Sequence, residues 1–335
     1  MTASYLESRH FALNWQQQLA EAFTSVDDLC NYLELNPVDL PFSLDANRLF
    51  SLRIPRAFAR AIQKGDPFDP LLAQVLPISN ELEAHRDYRH DPVGDITAAV
   101  IPGLLHKYEG RVLLINTGSC AIHCRYCFRR NFPYHDYQLS KQQIDKVILY
   151  IKANPSISEV ILSGGDPLTL SDQRLQQLFV RFNDIPHLKR IRIHSRLPIV
   201  LPARITDDLI NLFKQSDRRI IVVVHCNHPN ELNTCTKLGL QKLKHANITL
   251  FNQSVLLKNV NDDPEILCQL SEKLFEHEVI PYYLHLLDKA TGTAHFNVGK
   301  NDALAIYKQM QNRLPGYLLP KLVQEISGEK AKQFI

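Results

Sequence analysis

The sequence predicts an α/β protein built on parallel strands, a closed or partial (β/α) barrel, with a helical N-terminal region attached; an open doubly wound sheet is the alternative. Three observations lead there. Strand and helix patterns alternate six times after residue 111, nearly every strand runs into polar residues, and a tight cysteine triplet follows the first strand.

The elements follow in chain order. Trp15, Leu19, Ala22 and Phe23 lie at i, i+4, i+7 and i+8, one face of a helix. A second helix is expected over Asp45–Lys64, with Leu49, Leu52, Phe58 and Ile62 on its apolar side, Pro55 interrupting it, and Arg48, Arg53, Arg56, Arg60 and Lys64 along it. Gly65–Pro102 holds five prolines and reads as loop and turns. Strand-like runs then appear at Val112–Asn116, Val160–Ser163, Arg190–His194, Ile220–His225, Thr249–Gln253 and Tyr282–Leu287, with a seventh at Tyr317–Val323. Between them Ile144, Val147, Ile148 and Ile151 keep helical spacing, as do Leu175, Leu178, Phe179 and Phe182. Further helices are expected at Thr206–Ser216, Glu231–Ala246, Pro264–His277 and Asp302–Arg313. Sequential strand–helix units imply parallel strands joined by crossovers.

Composition sets broad limits. The 335 residues allow about two domains or one larger barrel. Lys+Arg 38 against Asp+Glu 35 leaves a net charge of +3, which argues against a dedicated nucleic-acid coat. The opening MTASYLESRH lacks a basic and then apolar leader pattern, and the aliphatic run IIVVV at 220–224 is too short to span a bilayer, so a soluble, cytoplasmic protein is expected. Seven cysteines (Cys30, Cys120, Cys124, Cys127, Cys226, Cys235 and Cys268) form an odd set better explained by a metal or redox site than by disulfides.

Polar tails mark the strand ends: Ser163-Gly-Gly-Asp166, His194-Ser-Arg196, His225-Cys-Asn-His228, Asn252-Gln253 and Asp288. Ends of parallel strands share one mouth, where barrel enzymes place their chemistry. The triplet Cys120-Ala-Ile-His-Cys124-Arg-Tyr-Cys127 has C-x3-C-x2-C spacing. Thiolates are soft ligands for zinc or an iron–sulfur cluster. Zinc requires a fourth ligand, for which His123 is near; three thiolates without a second ligand pair suit a [4Fe–4S] centre with one open iron. Small buried hydrophobes are the plain alternative.

The triplet, followed by Leu162-Ser-Gly-Gly-Asp-Pro167, resembles the radical S-adenosylmethionine (SAM) superfamily over residues 106–329 at least. That resemblance implies a partial (β/α)6-type TIM barrel, a [4Fe–4S] cluster on Cys120, Cys124 and Cys127, and SAM cleaved to a 5′-deoxyadenosyl radical. It also implies that the backbone of Ser163, Gly164, Gly165 and Asp166 meets the SAM amino group. The domains expected are a helical region at 1–105, the core at 106–329 and a short tail at 330–335.

The finer resemblance is to the lysine 2,3-aminomutases. It rests on Leu105-His-Lys-Tyr-Glu-Gly-Arg111, Cys127-Phe-Arg129-Arg130, Leu250–Asp262 and Tyr283–Asp288 followed by Gly292 and His295-Phe296. The resemblance implies that Lys107, Tyr108 and Arg111 contact the phosphate of pyridoxal phosphate (PLP) and that Arg129 pairs with the substrate carboxylate. It places Gln253 near the SAM ribose and gives Asp288 and Glu325 the distal amino group of lysine. Lys332 is implied as the PLP lysine, although the family's glycine-rich loop is reduced here to Gly328 and Lys330 competes for the role. His194, Arg196, Asn227 and His228 receive positions but no roles, buried hydrogen bonding being an equal reading. The short form resembles bacterial members that make (R)-β-lysine from L-lysine for elongation factor P, implying a functional link to that factor and its β-lysine ligase and a reductant such as flavodoxin or ferredoxin; homo-oligomerisation stays open. Two rivals stand beside it: a related aminomutase acting on glutamate or arginine, and a zinc or iron–sulfur RNA-binding module using Arg129, Arg130 and the Arg53–Lys64 segment.

Overall fold

The computed structural model describes residues 12–137 and 139–335, so the whole opening MTASYLESRH segment lies outside the described residues. The N-terminal region contains α1 (Trp15–Ala20), α2 (Val26–Leu33), α3 (Leu44–Leu49), α4 (Arg56–Ala59) and α5 (Pro70–Ala73). The helix expected over Asp45–Lys64 is broken into α3 and α4. Phe50 turns extended at φ −143°, and Ile54 pairs with Phe23 through N–O contacts of 2.8 and 2.9 Å. Pro55 explains the break, because it has no N–H and disfavours helical backbone at the residue before it. Three cations of the basic run are tied to groups of the protein. Arg53 donates to Leu19 O, Arg56 donates to Glu21 O and covers the Phe23 ring, and Lys64 pairs with Glu34 at 2.8 Å.

The core is one ten-stranded sheet whose strands follow sequence order. They are β1 (Ala99–Ile101), β2 (Leu104–Tyr108), β3 (Arg111–Thr117), β4 (Glu159–Gly164), β5 (Arg190–Ser195), β6 (Arg219–Val224), β7 (Thr249–Val255), β8 (Ile280–His285), β9 (Lys321–Gln324) and β10 (Gln333–Phe334). Strands β3 to β9 are parallel, and antiparallel β1–β2 and β10 flank them. The crossovers carry α6 (Lys141–Ala153), α7 (Asp172–Asn183), α8 (Leu197–Val200), α9 (Asp207–Lys214), α10 (Thr234–His245), α11 (Pro264–Glu276) and α12 (Lys300–Arg313). Side chains of Ser140, Ser171, Thr206, Asn233 and Asp263 accept from the first-turn N–H groups of the helices that follow them, which fixes where those helices start. The expected seventh strand begins at Lys321 rather than Tyr317, beyond the turn containing Pro315 and Pro320. Strands β1, β2 and β10 were not expected; they are too short to show a period.

Register sorts the two faces. Leu114, Leu162, Ile193, Val222 and Leu250 stand side by side on neighbouring strands, all buried toward the helices. On β5 Arg190, Arg192 and His194 alternate with Ile191 and Ile193, so the other face is polar. The sheet bends around that face: Lys107 on β2 and Glu325, just beyond β9, meet at 3.3 Å. Trp15, Leu29, Phe58 and Leu71 of the N-terminal region share one hydrophobic cluster with α6, α7 and α9. The expected boundary at 105/106 falls within β2, and the expected tail at 330–335 returns to the sheet as β10. Among the described residues no helix is long and apolar enough to cross a membrane.

Candidate active site

The cysteine loop joins the C-terminal end of β3 to the segment leading to α6, and all three thiols are unpaired. Three residues of the loop anchor it, chiefly to the N-terminal region. Arg125 is fully buried and grips Glu81 through Nε at 2.8 Å and Nη2 at 2.5 Å; its Nη1 donates to Phe50 O. Arg130 donates to the same Glu81 at 2.6 Å and to Gly292 O at 2.9 Å. His123 Nδ1 contacts Ser51 O at 2.6 Å, and its ring stacks on Phe50. His123 thus helps to hold the loop through Nδ1.

The Gly164-Gly165 turn presses against this loop. A Cβ on Gly165 would stand 2.4 Å from Ser119 O, and Gly164 adopts φ +112°, so side chains are excluded at both positions. Asp166 turns its carboxylate inward, accepting from Ser195 Oγ at 2.7 Å and from the N–H groups of Leu168, Arg196 and Leu197. Its side chain stitches two strand ends together and is fully engaged there. Arg196 reaches back to Cys124 Sγ at 2.8 Å while pairing with Glu231 at 2.9 Å and Gln74 at 2.7 Å. Glu231 also accepts from the N–H groups of Asn227 and His228, so those residues belong to a buried hydrogen-bond lattice.

A chain of alternating charges crosses the lumen. Arg129 Nε pairs with Asp95 at 2.6 Å and Nη1 donates to Ser163 Oγ at 3.1 Å. Asp95 holds Lys107 at 2.6 Å, Lys107 reaches Glu325 at 3.3 Å, and Glu325 pairs with Lys332 at 2.5 Å. Burial opposes ionisation of Glu325, but Lys332 and Lys107 outweigh it and hold its carboxyl at about 2. Asp288 is raised to about 7 by burial and by the neighbouring Glu325. Asp288 and Glu325 line one cavity of about 260 Å³. Burial and then the neighbouring Glu325 carboxylate push the Tyr108 hydroxyl well up. Arg111 stacks on Tyr108 and lines a separate cavity of about 340 Å³ with Arg190, Arg192 and Glu159 at the opposite ends of the strands. Gln253 bonds His225 at 2.9 Å, and Lys332 stands over the Tyr283 ring.

The radical SAM superfamily pattern matches residues 114–270. L-lysine 2,3-aminomutase of Escherichia coli (strain K12) is 45% identical over 320 residues, 95% of this chain and 93% of that protein. The Haemophilus influenzae protein of the same name is 45% identical over 319 residues, 95% of this chain and 94% of its own length. That of Clostridium subterminale is 34% identical over 320 residues, 95% of this chain and 77% of its own. The chain belongs to the L-lysine 2,3-aminomutase family.

Membership in the radical SAM superfamily implies SAM and an iron–sulfur centre, and the donor set of this aminomutase-family chain fits both. Among the described residues no three His, Cys, Asp or Glu side chains stand as a finished metal-ligand set. The three thiols nevertheless lie close enough to raise one another: burial, then Cys127 and other neighbours, push Cys120 well up, and burial with Cys124 brings Cys127 to about 11. Bound iron reverses that balance by favouring thiolates. Toward PLP, Lys332 sits in the lumen near buried groups lacking a partner within the protein, His194 Nε2 and His285 Nε2; Asn116 is likewise unpartnered at the end of β3. Burial and the nearby Lys332 keep both imidazoles neutral.

Sequence reasoning overlooked Asp95, Glu81 and Gln74. All three lie in the proline-rich stretch, where no periodicity singles out an acid or amide. Only their partners across the fold give them meaning.

Proposed function

We propose that the chain converts L-lysine to (R)-β-lysine with a [4Fe–4S] cluster on Cys120, Cys124 and Cys127, SAM, and PLP carried by Lys332. The lysine-to-β-lysine isomerisation follows from the family; the stereochemistry, the residue roles and the individual cofactors are our reading. The observation that carries it is the convergence of the three-thiol loop, Arg129 and the Asp288–Glu325–Lys332 group at one mouth of a bent parallel sheet. We read that sheet as a partial (β/α)6 barrel spanning 106–329, with the 1–105 region closing one side and the 330–335 segment bringing Lys332 into the lumen.

Bound together, the cluster and SAM supply a carbon radical, and PLP supplies the conjugation that lets nitrogen move between adjacent carbons. The chain's own residues bind, orient and exclude water. Arg129, held at Nε by Asp95, offers its Nη1–Nη2 edge to the α-carboxylate. Asp288 and Glu325 take the side-chain ammonium, and the span between them and Arg129 gauges substrate length. Glu325 holds Lys332 Nζ in place, so that this nitrogen would be the one to carry the cofactor. Lys107 and Tyr108 stand beside it for the cofactor phosphate, with Arg111 one strand level away. The backbone of Ser163 to Asp166 and the Gln253 amide face the SAM site.

In this reading the protein is cytoplasmic, draws electrons from a flavodoxin or ferredoxin, and passes β-lysine toward the ligase that modifies elongation factor P. Anaerobic reconstitution with iron, sulfide, PLP and SAM, followed by chiral product analysis, tests the assignment. L-lysine should yield (R)-β-lysine, whereas glutamate and arginine should remain unchanged. Turnover of either of those in preference to lysine, or a cluster inert to SAM, overturns it.

A further inference from the structure

We propose that Asp95 is the positioning residue for carboxylate recognition, acting through Arg129. The inference rests on the reading of Arg129 as the carboxylate partner. Asp95 is 2% exposed and uses both oxygens: Oδ2 takes Arg129 Nε and Oδ1 takes Lys107 Nζ, each at 2.6 Å. Lys107 is itself fixed by Val93 O at 2.7 Å and by Glu325. A guanidinium gripped at Nε cannot swing, and its remaining bidentate edge then points in one direction.

The loop bearing Asp95 is built for this position. Asp91 accepts from the N–H groups of Asp95 and Ile96 at 2.8 and 2.9 Å, and Gly94 lies at φ +69° with Ser327 directly against it. Asp95 is thereby placed between the arginine on the cysteine loop and the lysine on β2, while Glu325 relays the same network to Lys332.

Its role is separable from stability by comparing L-lysine with L-lysinamide, which keeps both amines and lacks the carboxylate. In the reconstituted enzyme, Asp95→Asn should raise KM for lysine about tenfold or more with kcat changed less than about threefold, because an interaction shared by ground and transition states is weakened. Lysinamide affinity, read from the ligand-induced change in cofactor absorbance, should move less than about twofold. Asp95→Glu keeps the charge and shifts the guanidinium by one methylene, so it should still alter the lysine-to-lysinamide ratio at least about threefold; it decides the matter if Asp95→Asn does not fold. Arg129→Lys sets the reference. If Arg129→Lys leaves that ratio unchanged, the reading of Arg129 fails. If Arg129→Lys changes it and the Asp95 variants do not, or if they weaken lysine and lysinamide alike, the Asp95 proposal alone is overturned.

Discussion

Lysine binding should depend on pH through Asp288, whose carboxyl rises from the ordinary 3.8 to about 7. Burial is the largest cause and Glu325 the next, with Lys332 pulling the other way. Each tenfold change in proton affinity is worth about 1.4 kcal/mol, so the ionised form costs roughly 4 kcal/mol in the folded protein. A lysine ammonium docked against Asp288 offsets that cost by stabilising the carboxylate, and at lower pH it must first displace a proton. The KM for L-lysine should therefore rise about tenfold on going from about pH 8 to about pH 6, and Asp288→Asn should flatten that limb while weakening binding throughout. The sign for stability is opposite to that of an ordinary paired acid. A folded pKa above the unfolded one gives a contribution fully present below about 4 and lost as pH rises to about 7, and Asp288→Asn should abolish that loss. Steady-state kinetics and thermal melts across this range provide the assay. A lysine KM flat between pH 6 and 8 in the unsubstituted enzyme would refute the reasoning.

Further outcomes follow from the same contacts. Cys120→Ala should remove the brown cluster chromophore and turnover, whereas Lys332→Ala should keep the chromophore and lose the PLP absorbance; PLP absorbance unchanged in Lys332→Ala would move that role to Lys330. Arg125→Ala leaves the Glu81 carboxylate buried with Arg130 as its remaining ion-pair partner. Removing one partner of a buried pair costs roughly 3–5 kcal/mol, so denaturant midpoints of the protein without iron should drop accordingly. A loss below about 1 kcal/mol would show that the loop is anchored elsewhere.

Local pattern carried much of this protein. The six main strands and the helices between them were legible because apolar runs and caps such as Ser140 and Thr206 act over a few residues. The cysteine spacing, the Gly-Gly turn and the segment around Asp288 were legible for the same reason: each is a contiguous string whose chemistry is written in its neighbours. The interruption at Pro55 was legible in the same way, whereas the extended stretch from Phe50 to Ile54 before it was not.

The tertiary structure decided what each polar group is for. Asp166, whose backbone the resemblance sets toward SAM, uses its carboxylate on the N–H groups of the next strand end, and His123 Nδ1 holds Ser51. Asp95 carried no signal at all, yet it joins Lys107 to Arg129. Sequence by itself determined the order of elements, because hydrophobic periodicity and capping are short-range. The pairing of buried charges belongs to the fold, since a buried carboxylate is stabilised by the cations and N–H or O–H donors that chain reversal brings within hydrogen-bond reach, however many residues apart they lie.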